Sequence, residues 1–378
     1  MKKLTLCAFA LIFFALAACA GRVTPPPYTP EYPAADLPTT MAAPPAGYTP
    51  APTDIPSTAL DMPTPGSPLP YEYYPQPATF VDYWLNNLTL EEKIGQLIMP
   101  RLPWRTTSAK HMEIQDWLDA IPFGGFILFS DNVESIPQVQ ALTRDLRYSR
   151  VSHRSDRYRL PNFISTDEEG GRVSRVGSLF GGATPAAFTI GEAGDLQLTY
   201  DTAAVNAQRL VQLGINMNFA PVADVWSNPA NAVIGTRAFG HTAEVAAPNV
   251  AATVQGLQDS GIFATLKHFP GHGDTYEDSH YQLAFHNHGI DRFWEVEALP
   301  FAAGIEAGAA AVMTGHISTP QVTGHTALLP WMEPWIESGN LPATFSDFWL
   351  QTVLRGQLGF EGLIITDGLE MRALTDHF

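Results

Sequence analysis

After residue 89 the chain alternates between short β-rich apolar runs and stretches of helical period, and no other feature restricts its possible folds as strongly. Thr89 and Glu92 fit a capping box that opens one helix. Apolar positions recur every three to four residues, which predicts helices, over residues 196–213, 245–257, 293–307 and 348–358. The apolar runs predict seven strands, at 98–102, 125–129, 163–166, 215–221, 262–267, 310–314 and 362–366. This alternation predicts an α/β domain with parallel strands, in either a barrel or a doubly wound sheet.

Polar residues follow the carboxyl end of nearly every predicted strand, and their distribution favours the barrel. These residues are Asp167, Glu168, Glu169, Asp224, Arg237, Lys267, His268, His316 and Asp367. Barrel enzymes carry their chemistry on that face, whereas a doubly wound sheet concentrates its site at one switch point. Glycine pairs 124–125 and 170–171 supply neither a GxGxxG fingerprint nor a P-loop. The expected fold is therefore of the (β/α)8 TIM-barrel type.

The last predicted strand lies close to the end of the sequence. Phe378 is 11 residues past Asp367, whereas a complete barrel needs a seventh helix, an eighth strand and usually a closing helix. The sequence thus predicts a barrel truncated after the seventh strand, with two unpaired edges. Either the chain is a fragment of a longer protein or another element closes the sheet.

Residues 267–280, KHFPGHGDTYEDSH, combine cationic, imidazole and carboxylate groups in a segment that cannot be regular. Pro270, Gly271 and Gly273 break both helix and strand patterns, which predicts an active-site loop after a buried strand. Zinc binding is one interpretation, with the candidate ligands His268, His272, Asp274, Asp278 and His280. It is disfavoured because the proline and glycines exclude the helix that would align the first two histidines, and because no HExxH glutamate is present.

Two other interpretations of this loop are a structural cluster of charged groups and a site of acid/base catalysis. A merely structural, buried cluster of three histidines, a lysine and two aspartates would carry a high desolvation cost. Acid/base catalysis suits the same groups better, because His280 exchanges a proton near neutral pH. Asp278, two residues earlier, can orient the imidazole and stabilise its charged form.

The first residues, MKKLTLCAFALIFFALAACAG, predict a secretion signal: a lysine-bearing start, a short apolar core and small residues before a cysteine. Leu16 to Cys19 match the lipobox of bacterial lipoproteins, which predicts a signal peptide at 1–18 and lipid on Cys19; an ordinary signal peptide is the alternative. Residues 19–79 predict a tether, because 17 of the 32 prolines lie between Thr24 and Thr79. Residues 80–378 are then a single domain. The expected location is extracytoplasmic, lipid-anchored to a bacterial membrane.

The net charge of −17 and the pI near 4.9 argue against nucleic acid or an anionic membrane face as a partner. Contact with the membrane is therefore expected through the lipid anchor only. The substrate is expected to be neutral or small. Cys7 is lost with the signal and Cys19 is acylated on this interpretation, so no disulfide framework is possible.

Four segments carry a family resemblance that runs from about Thr89 to the end of the chain: STDEEGGRVSR, NFAPVADVWSNPANAVIGTRAFG, KHFPGHGDTYEDSH and LIITDGLEMRAL. They resemble glycoside hydrolase family 3, particularly its β-N-acetylglucosaminidases, and lie in the family's order. The resemblance implies a retaining enzyme that hydrolyses terminal β-linked GlcNAc from peptidoglycan fragments (muropeptides) or related saccharides. It implies no metal and no organic cofactor.

The resemblance also implies a role for each matching residue. Asp367 would be the nucleophile that forms a glycosyl-enzyme, a task that a carboxylate suits. His280 would be the acid/base and Asp278 would steer it. The terminal sugar would be held by Asp167, Arg175, Arg237, Lys267 and His268.

Alternatives to these roles remain open at the level of sequence. Asp367 could cap the following helix, and Arg237 and Lys267 could pair with Asp224 or Glu169 in a structural network. Because a neutral histidine tolerates an anionic acceptor better than a glutamate does, a GlcNAc phosphorylase is a second candidate function. A non-catalytic cell-surface saccharide-binding protein is a third.

Overall fold

The computed structural model describes residues 77–103, 105–108, 112–148, 150–151 and 160–377. The predicted signal peptide at 1–18, Cys19 and all of the tether except its last three residues lie outside this range. The chain divides into two compact units, one comprising Met1–Leu97 with Val151–Tyr158 and the other Ile98–Arg150 with Arg159–Phe378.

The described part of the first unit contains two helices, α1 (Pro77–Asn87) and α2 (Leu90–Gln96). Thr89 caps α2: its hydroxyl accepts the Glu92 N–H at 3.2 Å, and the Glu92 carboxylate accepts the Thr89 N–H at 2.9 Å. This reciprocal capping box is the one that the sequence predicts.

In the described residues of the second unit there are ten strands and the remaining helices. In chain order the strands are β1 (Gly125–Leu128), β2 (Phe163–Thr166), β3 (Glu168–Gly170), β4 (Val173–Ser174), β5 (Met217–Asn218), β6 (Phe263–Phe269), β7 (Ala284–Phe285), β8 (Ala311–Thr314), β9 (Ile317–Ser318) and β10 (Leu363–Thr366). The α-helices are α3 (Met112–Ala120), α4 (Ile136–Leu146), α5 (Ala187–Ala193), α6 (Leu196–Gln212), α7 (Ala243–Asp259), α8 (Ile290–Arg292), α9 (Ala298–Glu306), α10 (Glu333–Glu337) and α11 (Arg372–Thr375). Two segments are π-helical: Phe293–Glu297 joins α8 to α9, and Phe348–Gln357 forms a helix of its own. Short 3-10 turns lie at Ser130–Asn132, Gly177–Phe180, Gly235–Arg237, Pro330–Met332 and Ala343–Phe345.

Six strands form one sheet in the order β1-β2-β5-β6-β8-β10, and every pairing in it is parallel. A helix lies between successive strands along the chain, so each crossover is of the βαβ type. The carboxyl ends of all six strands therefore lie along one edge of the sheet. The antiparallel hairpin β3–β4 and the parallel pair β7–β9 follow those ends.

Six of the seven predicted strands are present; the strand predicted at 98–102 is not formed, and the one predicted at 215–221 is much shorter. Residues 98–102 make only an isolated parallel bridge, Arg101 to Ile127, although the Leu102 N–H donates to the Ile127 carbonyl at 3.4 Å. The predicted strand 215–221 pairs as a strand at only two residues, Met217 and Asn218, although the chain stays beside β6, where Val222 forms an isolated parallel bridge with Lys267.

Side chains alternate between two apolar clusters along the sheet. One face packs against the helices and includes Phe126, Ile164, Leu266 and Val312. The opposite face carries a second connected cluster whose members run from the first strand to the last: Ile127, Phe163, Met217, Phe219, Ala311, Met313 and Ile365, with Met99. Two buried faces on a parallel sheet are typical of α/β folds, and an inner layer of side chains is typical of a barrel. The sheet is accordingly a half-barrel of the (β/α)8 type. None of the helices in the described ranges is both long and apolar enough to cross a membrane.

Candidate active site

Strands β2 and β6 bring a carboxylate and an ammonium group together at the carboxyl edge of the sheet. Asp167 directly follows β2, and Lys267 lies near the end of β6. The Lys267 Nζ lies 2.7 Å from the Asp167 Oδ1 and 2.6 Å from the Glu169 Oε1. Burial lowers the pKa of Lys267, but the two carboxylates outweigh it and hold the pKa above its ordinary value. The ammonium group is therefore charged.

Glu169 is shared between two cations. The Arg237 guanidinium donates to it twice, from Nε to Oε2 and from Nη2 to Oε1, each at 2.8 Å. Burial raises the pKa of Glu169, but Arg237 and Lys267 outweigh it and hold the pKa well below its ordinary value. In the same way Glu169 raises the pKa of Arg237 against the effect of burial. The network that the sequence left open therefore exists, and its centre is Glu169.

His268 is oriented by a buried aspartate. Its Nδ1 lies 2.7 Å from the Asp224 Oδ2, and its backbone N–H donates to the Asp224 Oδ1 at 3.2 Å. The Nε2 is left on the side of Arg237, whose Nη2 lies 3.4 Å away. Asp224 thus fixes the ring orientation of a residue expected to contact sugar.

Asp367 follows β10, and its neighbours favour the charged carboxylate. Its N–H donates to the Thr314 carbonyl at 3.0 Å, and its Oδ1 accepts the Gly368 N–H at 2.8 Å. Burial raises the pKa of Asp367, but the nearby His268 and His316 side chains, the Gly368 N–H and Lys267 together outweigh it and lower the pKa below its ordinary value. The side chain is therefore an anion beside the charged cluster.

His316 supports the segment that follows Asp367. Its ring is buried, with Nε2 2.9 Å from the Gly368 carbonyl oxygen and Nδ1 2.8 Å from the Thr344 Oγ1. Burial lowers the pKa of His316, so the ring is mostly neutral at neutral pH. Its contacts are to a backbone carbonyl and a hydroxyl, which suits a supporting residue better than a sugar ligand.

Arg175 lies at the margin of the cluster. Its Nη2 is 3.8 Å from the Asp167 Oδ2, and its guanidinium lies over the Phe129 ring at 5.2 Å. The adjacent hairpin is held by Glu168, whose carboxylate accepts the N–H groups of Arg175 and Val176 at 2.8 and 2.9 Å. Glu168 therefore has a structural role, whereas Arg175 remains half exposed beside Asp167.

The pair Asp278 and His280 lies on the loop after β6, apart from the buried cluster. The Asp278 Oδ1 accepts both the backbone N–H of His280 at 2.9 Å and the imidazole Nδ1–H at 2.8 Å. The side chains are 33% and 59% exposed, respectively. The His280 carbonyl accepts the N–H of Arg372 at 3.3 Å, which joins this loop to the segment after Asp367. Within the described residues, no hydrogen bond or ion pair joins either side chain to Asp167, Lys267 or Asp367.

The histidines His268 and His272, which are candidate zinc ligands by sequence, form hydrogen bonds within the protein. His268 is bound to Asp224, and both ring nitrogens of His272 lie within hydrogen-bond distance of hydroxyl groups. Asp274 pairs with His288 at 2.6 Å. In the part of the chain that the structure describes, no group of three or more His, Cys, Asp or Glu side chains could hold a metal ion.

Sequence reasoning did not single out Glu169 or Asp224 as members of the site. A signal for Glu169 was present, because Asp167 and Glu169 are two apart and side chains two apart in an extended segment share a face. The position of Asp224 after a predicted strand was a signal for the same edge of the sheet, but its partner was not predictable, because His268 lies 44 residues later and only strand pairing brings them together.

Comparison with known proteins gives a consistent result. Residues 89–378 match the model of the glycosyl hydrolase family 3 N-terminal domain. The chain is 36% identical over 271 residues to beta-hexosaminidase A of Pseudoalteromonas piscicida, covering 70% of this chain and 44% of that protein. It is 33% identical over 264 residues to beta-hexosaminidase of Xylella fastidiosa (strain M23), covering 68% of this chain and 71% of the relative.

Solved structures agree. A glycoside hydrolase family 3 beta-N-acetylglucosaminidase from Paenibacillus sp. str. FPU-7 superposes with a TM-score of 0.66 at 38% identity, over 77% of this chain and 51% of the other. NagZ from Neisseria gonorrhoeae superposes with a TM-score of 0.60 at 31% identity, over 73% of this chain and 74% of the other. The chain thus spans about half or less of some relatives that it matches. With its half-barrel and its charged cluster at the strand ends, the chain belongs to glycosyl hydrolase family 3, of which residues 89–378 match the N-terminal domain.

Proposed function

We propose that this chain provides the catalytic domain of a retaining β-N-acetylglucosaminidase that releases terminal β-linked GlcNAc from peptidoglycan fragments or related saccharides. One observation carries the proposal. Asp367 is a carboxylate with a lowered pKa at the end of a barrel strand, beside cations and a carboxylate suited to a sugar's hydroxyl groups. The names of relatives, beta-hexosaminidase and beta-N-acetylglucosaminidase, support the GlcNAc class.

In the proposed first step the Asp367 carboxylate attacks the anomeric carbon. The glycosidic C–O bond breaks, its electron pair leaves with the oxygen, and the proton on the His280 Nε2 moves to that oxygen. In the second step His280 takes a proton from water, the water oxygen bonds to the anomeric carbon, and Asp367 leaves. Two inversions at one carbon retain its configuration.

The acid/base assignment is supported by the state of the His280 ring. Because Asp278 accepts from Nδ1, the Nε2 is the nitrogen that exchanges the proton. The side chain is more than half exposed, so the ring can reach a glycosidic oxygen at the mouth of the site. Asp278 accepts from both the backbone N–H and the Nδ1–H of His280, so it fixes the ring orientation for proton transfer from Nε2.

Sugar binding is assigned to the buried cluster. Asp167 can accept two hydroxyl protons, while Lys267, Arg237 and Arg175 can donate to hydroxyl and acetamido oxygens. His268, oriented by Asp224, presents its Nε2. Because the two carboxylates Asp167 and Glu169 balance the two cations Lys267 and Arg237, the cluster suits an uncharged sugar.

The first test measures release of 4-nitrophenol from its β-GlcNAc and β-glucose glycosides by the full chain. We expect activity on the GlcNAc glycoside, abolished in Asp367→Ala and reduced about 10²–10⁴-fold in His280→Ala, the usual contribution of a general acid. His241→Ala, an exposed histidine elsewhere, is the matched control and should retain full activity. GlcNAc release that survives Asp367→Ala would contradict the assignment.

A phosphorylase is the second candidate, favoured by one observation: the acid/base position holds an imidazole, which does not repel phosphate as a carboxylate does. The same assay run with added phosphate separates the two reactions. Hydrolysis predicts free GlcNAc at all phosphate concentrations, and phosphorolysis predicts GlcNAc 1-phosphate in proportion to phosphate. Saccharide binding with no turnover would instead favour a non-catalytic sugar-binding protein.

We further propose that the protein is anchored outside the cytoplasm by lipid on Cys19, a proposal that rests on the sequence alone. Multiple acyl chains on one residue give stable anchoring, whereas one chain gives only marginal binding. The test is incorporation of labelled palmitate in bacterial cells. We expect label in the wild type and none in Cys19→Ala, with Cys7→Ala labelled normally as the control.

A further inference from the structure

Ser279 lies between the two proposed acid/base residues and differs sharply from both in its environment. It is only 2% exposed, whereas the His280 side chain is 59% exposed. Its hydroxyl lies 3.1 Å from the Nε2 of His272, and its carbonyl accepts the N–H of Ala373 at 3.3 Å. Ser279 is therefore a buried point of attachment of this exposed loop, next to the contact between the His280 carbonyl and the Arg372 N–H.

The hydrogen bonds on the far side of His272 decide which ring nitrogen carries the proton. The Thr275 hydroxyl donates to the His272 carbonyl at 2.9 Å, so its single proton is used there. The Thr275 Oγ1 also lies 2.6 Å from the His272 Nδ1, and with the Thr275 proton on the carbonyl we assign Nδ1 as the donor. In the neutral ring the Nε2 is left as an acceptor, and it accepts the Ser279 hydroxyl proton.

His272 is well suited to this fixed role. It is 2% exposed, and its backbone is held at both ends: its N–H donates to Asp224 at 2.6 Å, and its carbonyl accepts from the Asn231 side chain at 2.7 Å. Burial, and then the charge of His268, lower the pKa of His272 to about 4. The ring is therefore neutral wherever a histidine acid/base operates, and it cannot itself serve as the acid.

We propose that His272 and Ser279 are positioning residues that fix His280 for proton transfer, an inference that rests on the proposed function. Asp278 orients the His280 ring, but both residues lie on the same exposed loop and would move together. Only an attachment to the buried frame can set the distance between the Nε2 of His280 and the glycosidic oxygen. The buried contact from Ser279 to His272 provides it, one residue from the acid.

The test uses leaving groups of different acidity, because acid assistance matters only when the departing oxygen is basic. kcat/KM is measured for the full chain on the 2,4-dinitrophenyl and 4-nitrophenyl β-GlcNAc glycosides and on the GlcNAc–GlcNAc disaccharide. In Ser279→Ala we expect a loss of about tenfold or more on the disaccharide, within the range of acid catalysis, and less than about threefold on the dinitrophenyl glycoside. Ser279→Thr keeps the hydroxyl and should recover most of the loss.

Two further variants distinguish positioning from general damage. Thr275→Val removes the acceptor that sets the His272 tautomer and should give the same leaving-group pattern in a weaker form. Thr199→Val removes a buried hydrogen bond of 2.6 Å to Asn249, between helices remote from the site. Any change that it causes in kcat/KM should be the same for all three glycosides. Circular dichroism confirms that each variant is folded.

The outcomes separate this inference from the proposed function. If Ser279→Ala and Thr275→Val lose activity equally on all three glycosides, or lose none, the positioning role is wrong while the hydrolase assignment stands. A wild-type chain inert on all three would overturn the proposed function and the inference with it.

Discussion

At the scale of single residues, Glu169 has the most demanding position in the molecule. Its side chain is 3% exposed and contacts both Lys267 and Arg237. Removing one partner from a buried ion pair leaves an uncompensated charge, which costs far more than the pair contributes. Glu169 is therefore the carboxylate on which the buried charged cluster depends, although it is not itself expected to touch the anomeric carbon.

We expect Glu169→Gln to lower the free energy of unfolding by about 3–5 kcal/mol at pH 7, because two buried cations lose their shared anion. Equilibrium urea unfolding measures this. Glu295→Gln, an exposed carboxyl group, is the control and should fall within about 0.5 kcal/mol of the wild type.

The difference in stability between the wild type and Glu169→Gln should depend on pH. The folded-state pKa of Glu169 is below its ordinary value of 4.5, so below that pH the unfolded chain binds a proton that the folded chain does not. The ionised Glu169 carboxylate thus makes its full contribution to the free energy of unfolding above pH 4.5, and that contribution is lost as the pH falls. The stability gap between wild type and Glu169→Gln should narrow at lower pH, and a gap that widens would contradict the assigned charge.

The sequence predicts the site residues at the strand ends but not the contacts within the loop, and the reasons are physical. Four site residues lie at or just after the carboxyl ends of strands: Asp167, Lys267, His268 and Asp367. Because parallel strands align their carboxyl ends, the proximity of these residues could be predicted. The His272–Ser279 contact could not, because a loop rich in glycine and proline has no period from which side-chain directions can be read.

At the scale of elements, the packing of α6 against α7 depends on one glycine. A Cβ on Gly256 would lie 2.5 Å from the Tyr200 carbonyl oxygen and 2.9 Å from the Ala203 Cβ. No real side chain tolerates such distances, so a larger residue would push the two helices apart. Of these two helices, α7 packs against β6, the strand that carries Lys267 and His268.

We expect Gly256→Val to destabilise the protein by about 1–3 kcal/mol, the usual cost of overpacking. Thermal unfolding measures the effect. Gly289→Ala is the matched control: its φ is −76° and nothing lies within 4 Å of the added Cβ, so it should cost less than about 1 kcal/mol. Equal losses in the two variants would show that helix separation is not the cause.

Most elements could be predicted because their periods are strong, and the exceptions share a cause. The pattern at 348–358 predicts a helix, and the structure has one, but its hydrogen bonds are of the π type. Apolar spacing reports which face is buried and is nearly insensitive to that difference. Likewise, the apolar run at 98–102 reports burial, while the number of ladder hydrogen bonds depends on its neighbour.

At the scale of the whole molecule, the net charge of −17 contrasts with a substrate expected to be neutral. A uniform negative field neither attracts nor repels an uncharged glycoside, but it repels an anionic one. Added salt screens that repulsion within about 10 Å at 0.1 M.

We therefore expect kcat/KM for the 4-nitrophenyl β-GlcNAc glycoside to change less than about twofold between about 0.05 and 0.5 M NaCl. A glycoside whose leaving group carries a sulfonate should improve over the same range, because its repulsion is screened. A steep salt dependence for the neutral glycoside would mean that charge steers it, contrary to the proposed substrate class.

The barrel type could be predicted from the sequence because the polar residues spread over many strand ends instead of collecting at one. The way in which the inner face is filled could not. Met217, Met313 and Ile365 come from three strands far apart in sequence, and only the curvature of the sheet brings their cluster together.

The N–H groups of Arg372 and Ala373 bind the carbonyls of His280 and Ser279, and this contact has a consequence for biosynthesis. A ribosome adds about 5–20 residues per second, so the acid/base loop emerges several seconds before the residues that hold it. On the proposed function, the nascent chain in that interval has the residues assigned to sugar binding but lacks the proposed nucleophile Asp367 and the contacts of Arg372 and Ala373. We therefore expect translation order to keep the partly made polypeptide from cutting glycosidic bonds.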